Sequence, residues 1–66
     1  MRFELNGEVT RLPGPLSVRS LLERFELQRQ RVAVAVNQEV VPRSRFESRQ
    51  IHEGDRVEVI HAVGGG

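Results

Sequence analysis

Only one stretch of this 66-residue chain has helical periodicity, and that limits the folds open to it. Val18, Leu21, Leu22 and Phe25 fall at i, i+3, i+4 and i+7, which is one face of a helix. Glu23, Arg24 and Glu26 lie outside that stripe. Ser17 stands where an N-cap hydroxyl accepts from a free amide of the first turn. A helix is therefore expected over residues 18–27. An apolar stripe must be buried against another element, and no second helix is available, so this one has to cover a sheet.

The flanking segments supply that sheet. Arg2-Phe3-Glu4-Leu5-Asn6 alternates polar and apolar with period two, the mark of a half-buried strand. Asn6-Gly7 is a strong hairpin signal, because a type I′ turn needs positive φ at both central positions. Glu8 to Leu12 reads as the returning strand. Phe3 and Leu5 are expected to face the core, joined by Val9 or Leu12. Pro13-Gly14-Pro15 then forces a loop ahead of the helix.

After the polar link Gln28-Arg29-Gln30 comes Arg31-Val32-Ala33-Val34-Ala35-Val36-Asn37, β-branched and apolar on both faces. That pattern predicts a central strand, covered or flanked on both sides. Asn37-Gln38-Glu39 turns the chain into the short extended piece Val40-Val41. Pro42 cannot donate to a central ladder, which places this piece at an edge. Phe46 is the one apolar residue in the polar run that follows, and it is expected to plug the core from a loop or short helical turn. His52-Glu53-Gly54-Asp55 is a turn before the last strand, Arg56 to Val63. Val57 and Val59 point one way along that strand, while Glu58, Ile60 and Ala62 point the other. With the valines in the core, Ile60 and Ala62 form a small apolar spot on the open face. His52 and His61 lack neighbouring ligand types, so no metal site is proposed for them.

The order is strand, strand, helix, strand, short strand, strand. This predicts an α+β fold, the β-grasp or ubiquitin-like arrangement. Its sheet is mixed and four- to five-stranded, with one main helix packed across one face. The first and last strands are expected to be parallel central neighbours, which accounts for the apolar residues Phe3, Leu5, Val57 and Val59. The domain is expected over residues 1–63.

A domain of this size buries only about 60% of its unfolded surface and leaves no room for a deep catalytic cavity. No nucleophile–base pair or metal-ligating cluster stands out, so an independent enzyme is the weakest reading. The formal net charge of +1 argues against a dedicated nucleic-acid binder. No apolar run is long enough to span a membrane, and the N-terminus lacks the pattern of an export signal, so the cytoplasm is the expected compartment. The ten basic residues are all arginine, and there is no cysteine. Without lysine the chain cannot link isopeptide chains of itself. Without a thiol, any sulfur it handled would have to ride on its terminal carboxyl group.

Gly64-Gly65-Gly66 follows the last strand directly. Glycine loses the most conformational freedom on ordering and supports neither helix nor strand. A slim tail over residues 64–66, tipped by the Gly66 carboxylate, suits a chain whose end enters a partner's active site. A small-residue terminus of no function has the same composition.

The chain resembles the ThiS family, the bacterial sulfur carriers of thiamine biosynthesis, over essentially its whole length. The resemblance rests on Asn6-Gly7, Ser17-Val18 with Leu21-Leu22, Val36-Asn37-Gln38-Glu39-Val40-Val41-Pro42-Arg43, Gly54-Asp55-Arg56-Val57-Glu58, and the terminal glycines. The segment from Asn37 to Arg43 is the most discriminating. The Gly-Gly end is shared with MoaD-type carriers and ubiquitin. Gly64 departs from the pattern, since many relatives carry another small or apolar residue there.

What the resemblance implies is a carrier, not an enzyme, that binds no cofactor of its own. A ThiF-type adenylyltransferase using ATP and magnesium would activate the Gly66 carboxylate. Sulfur from a cysteine desulfurase would convert it to a thiocarboxylate, and the thiazole synthase ThiG would receive that sulfur. By position, Gly66 carries the chemistry, and Gly64 and Gly65 give it reach. Ile60, Ala62 and Val63 are the expected partner contacts, and Arg43 either binds a partner or is simply solvated. The alternatives are a MoaD-like or tRNA-thiolation carrier, and a ubiquitin-like modifier or binding module.

Overall fold

The computed structural model describes residues 1–61. Five strands form one mixed sheet, in the order β2-β1-β7-β4-β5. They are β1 (Arg2–Leu5), β2 (Glu8–Arg11), β4 (Val32–Val36), β5 (Glu39–Val41) and β7 (Arg56–His61). A separate two-stranded ladder pairs β3 (Leu16–Ser17) with β6 (Gln50–Ile51). The helix α1 (Val18–Arg24) and a 3₁₀ turn (Arg43–Arg45) complete the fold. β1 pairs antiparallel with β2 and parallel with β7, and β7 pairs antiparallel with β4. This is the expected β-grasp, with the first and last strands side by side at its centre.

The local chemistry explains the turns. Asn6 (φ 50) and Gly7 (φ 82) make the first hairpin, and Asn37 (φ 52) and Gln38 (φ 68) make the second. Ser17 caps α1, its hydroxyl accepting from the Ser20 amide at 3.0 Å. The core lies between the helix and one face of the sheet. Phe3, Val18, Leu21, Leu22, Val34, Val36 and Val57 are almost wholly buried there. Full burial of each such side chain contributes roughly 1.5–3 kcal/mol. Phe46 closes the core from just after the 3₁₀ turn, as its isolation in a polar run predicts.

Two details differ from the sequence reading, and two alternatives it left open are resolved. The helix ends at Arg24 rather than Leu27. The cause is a left-handed residue, Glu26 (φ 58), whose amide bonds the Glu23 carbonyl while the Leu27 amide bonds the Leu22 carbonyl at 2.7 Å. These two bonds are those of a Schellman stop. It swings Leu27 in against the core and leaves Phe25, the expected fourth stripe residue, 44% exposed. Val9 is also exposed, because it sits opposite Glu4 on the outer face, and Leu12 packs against the core instead. β4 is flanked by a strand on each side but covered on one face only, since Val32, Val34 and Val36 are buried while Ala33 is exposed. The β3–β6 ladder was not anticipated; two-residue strands are too short to show a period.

Among the described residues, two side chains occupy left-handed backbone without being Gly or Asn, those of Glu26 and Gln38. An L-residue there costs roughly 1–2 kcal/mol, part of which glycine would lose again to its larger unfolded-state entropy. Glu26→Gly and Gln38→Gly are each expected to stabilise the fold by about 0.5–1 kcal/mol in urea denaturation. A lowered midpoint for either would contradict this account of the turns.

Candidate functional site

β7 carries the C-terminal segment, so what holds β7 defines the base from which that segment leaves. Two asparagines, one from each hairpin turn, brace it. At its start the Asn37 amide bonds the Arg56 carbonyl at 2.7 Å, and Asn37 Oδ1 accepts from the Arg56 amide at 3.0 Å. Asn37 Nδ2 donates to Asp55 Oδ1 at 3.0 Å, and Asp55 Oδ2 accepts from the His52 amide at 2.8 Å. These contacts tie the hairpin to the turn before β7. The most discriminating sequence motif and Gly54-Asp55 thus meet in one hydrogen-bonded cluster.

Asn6 braces the middle of β7. Its amide donates to the Val57 carbonyl at 2.9 Å, and its Oδ1 accepts from the Val59 amide at 2.8 Å. In a regular parallel ladder, one residue's N–H and C=O bond the residues on either side of its partner. Here the chain turns away at Asn6, so the side-chain oxygen takes the place of the carbonyl.

The open face of the sheet divides into two parts. Toward the end of β7, Ile60 (59% exposed) lies beside Ala33, and Val40 (72% exposed) lies beside Ala35. Toward its start, Arg56 and Glu4 approach to 3.9 Å, an exposed ion pair of little energetic weight. The apolar part therefore lies at the end from which the C-terminal segment leaves. Ala33, Ala35 and Val40 were missed as members of this face. The signal was the small residue alternating with valine in Val32-Ala33-Val34-Ala35-Val36, which marks an uncovered face rather than a second core face.

Ile60 stands on that open face, next to the segment it was expected to serve. Arg43 does not join it. It is exposed at the 3₁₀ turn and borders a separate depression of about 400 Å³ with Arg19 and Glu47. Ala62, Val63, Gly64, Gly65 and Gly66 lie outside the described residues. Among the described residues no group of three or more His, Cys, Asp or Glu is placed to hold a metal, and no helix is long and apolar enough to cross a membrane.

A five-stranded β-grasp with one helix across its sheet and an apolar spot beside its last strand defines a ubiquitin-like protein. Comparison with known proteins narrows the class. The chain belongs to the ThiS family, whose profile matches residues 3–66. The crystal structure of thiamine biosynthesis protein ThiS from Geobacter metallireducens superposes with a TM-score of 0.86 at 33% identity, covering 100% of both chains. The sulfur carrier protein ThiS of Bacillus subtilis is 30% identical over 65 residues, which is 97% of this chain and 98% of that one. A thiazole synthase from Paramagnetospirillum magneticum is 32% identical over 66 residues, but this chain spans only 20% of its length.

The Asn6 brace uses only an acceptor oxygen and a backbone that tolerates positive φ. Asn6→Ala leaves the partly buried Val59 amide without its acceptor and is expected to cost about 1–3 kcal/mol in chemical denaturation. Asn6→Asp keeps the oxygen and is expected to lose well under half as much. Equal losses would contradict the brace.

Proposed function

We propose that this protein is a sulfur carrier of thiamine biosynthesis and that the Gly66 carboxyl group carries the sulfur. The observation that carries the reading is full-length similarity to sulfur carrier and thiamine biosynthesis proteins of the ThiS family. The small apolar spot at the departing end of β7 supports it. The chain acts as a co-substrate of partner enzymes, and the chemistry occurs in their active sites.

The steps follow from carboxylate chemistry. A carboxylate is a poor electrophile. A ThiF-type adenylyltransferase, using ATP and magnesium, would let a Gly66 carboxylate oxygen attack the α-phosphorus of ATP and expel pyrophosphate. The acyl-adenylate then has a good leaving group. A desulfurase mobilises cysteine sulfur as a persulfide, whose terminal sulfur attacks the carbonyl carbon and expels AMP; a thiol reductant then cleaves the S–S bond of the resulting acyl disulfide. One C–O bond is exchanged for a C–S bond, and the product is a thiocarboxylate. Thiazole synthase is the acceptor, and the similarity of this chain to part of a thiazole synthase supports that link.

This chain's residues contribute presentation. Residues 1–63 form the folded body and residues 64–66 the tail. Gly64 and Gly65 add no side chains that would block a narrow channel. Ile60, Ala62 and Val63 make the partner contacts, extended by Ala33, Ala35 and Val40. Arg43, which borders a separate depression with Arg19 and Glu47, is a further partner contact. The lysine- and cysteine-free composition leaves an activated Gly66 without an internal side-chain amine or thiol to react with. The cytoplasm, where ATP and cysteine-derived sulfur are both available, is the proposed compartment.

Incubation with the adenylating enzyme, ATP, magnesium, a cysteine-fed desulfurase and a thiol reductant is expected to raise the intact mass by the difference between sulfur and oxygen. Deleting Gly65 and Gly66 is expected to abolish the gain. An unchanged mass with enzymes of demonstrated activity would overturn the reading. Ile60→Asp is expected to lower kcat/KM for adenylation by about tenfold or more without altering the melting temperature, since it places a charge on a surface meant to be desolvated. An unchanged kcat/KM would remove Ile60 from the contact face.

A further inference from the structure

The paired residues of β1 and β7 end at Leu5 and Val57, and with the Asn6 brace the bonding on that side of β7 reaches the Val59 amide, one pair of groups short of its end at His61. In the antiparallel register with β4, Arg56 bonds Asn37, so Arg56, Glu58 and Ile60 direct their backbone groups toward β4. Val57, Val59 and His61 direct theirs toward β1. The Val57 carbonyl and the Val59 amide are both satisfied by Asn6. The next pair on that side is the Val59 carbonyl and the His61 amide. β1 has turned away at Asn6-Gly7, and among the described residues neither group has a partner.

These two groups match one residue of a parallel strand, whose N–H would donate to Val59 and whose C=O would accept from His61. Below this edge, on the helix side, lies an apolar groove of about 280 Å³. It is lined by Leu5, Leu22, Phe25, Leu27, Val59 and His61. The groove exists because the Schellman stop turns Phe25 outward, and Phe25 remains 44% exposed at its rim.

Resting on the function proposed above, we infer that an extended segment of thiazole synthase adds to β7 at this edge as a parallel strand, continuing the line of β1. The backbone pattern specifies an extended polypeptide. A small ligand or a helix does not offer a donor and an acceptor on one residue at strand spacing. Paired residues of a ladder share a face, so the residue bonded to Val59 and His61 lies beside Ile60 on the open face. The residue after it lies opposite His61 and projects into the groove. That residue is a large apolar one, of the leucine or phenylalanine class. The contact is made at His61, immediately before residues 62–66. A strand docked there fixes the direction in which those residues leave and aims Gly66 at the site that takes its sulfur.

The test is amide hydrogen exchange of the ¹⁵N-labelled full chain, alone and saturated with thiazole synthase. The His61 amide is expected to exchange freely in the free chain and to slow by about tenfold or more in the complex, as an amide does on joining a ladder. A paired test uses two variants. His61→Pro removes the N–H without removing a bond to β4, and is expected to weaken binding by about tenfold. His61→Ala keeps the N–H and loses only a groove-lining side chain, and is expected to weaken binding several-fold less than His61→Pro; equal losses would overturn the role of the N–H. Free exchange of His61 in a saturated complex would overturn strand addition while leaving the carrier function standing. Failure of any complex to form would remove thiazole synthase as the acceptor, and this inference with it. Should His61→Pro not fold, the exchange measurement on the unaltered chain decides the matter.

Discussion

The pairing of β7 between β1 and β4 is the interaction on which the rest of this structure depends. β7 is the last segment in sequence, yet it is the central strand. It buries Val57 and Val59 and joins the two halves of the sheet, which among the described residues have no other hydrogen-bonded contact with each other. Until it docks, the first hairpin and the β4–β5 pair are two small ladders, neither of which is stable alone in water. The strand that completes the fold is therefore the strand that leads to the C-terminal residues 62–66. The asparagine braces follow from this arrangement. Each hairpin turn needs a residue that accepts positive φ, and asparagine does so while offering an amide side chain to the neighbouring strand. Asn6 and Asn37 each shape a turn and fasten β7.

The same arrangement separates stability from recognition. Alternation along β7 sends Val57 and Val59 into the core and Glu58 and Ile60 outward. Alternation along β4 sends its valines inward and its alanines outward. The outer face keeps enough apolar area near the departing end of β7 to be desolvated by a partner. The ion pair of Glu4 and Arg56 keeps the other end polar. A modest patch of this kind suits a small carrier protein, since a large one would favour self-association.

Much of this was legible in the sequence, for identifiable reasons. Period-two and period-3.6 patterns placed the principal strands and the helix, because those patterns record which side chains the core needs. Asn6-Gly7 announced its turn through φ, and Pro42 announced an edge through its missing N–H. The end of the helix was not legible, because Glu26 carries no mark of the left-handed conformation it adopts. Phe25 and Leu27 consequently exchanged roles. The β3–β6 ladder pairs Leu16 with Ile51 and Ser17 with Gln50, residues too distant in sequence and strands too short for any local pattern to reveal. On the open face, Ile60 was legible from alternation, whereas Ala33, Ala35 and Val40 join it only through register. The separation of Arg43 from Ile60 likewise required the fold.

The central claim is that sulfur travels on the Gly66 carbonyl carbon into a thiazole. It is tested most directly by charging this chain with heavy-isotope sulfur, purifying it away from the desulfurase and the adenylating enzyme, and mixing it with thiazole synthase and its other substrates in a single turnover. The account predicts that the isotope appears in the thiazole product, in proportion to the charged chain consumed, while the chain returns to the mass of its plain carboxylate. Retention of the isotope on the chain, or product made with unlabelled sulfur, would contradict it.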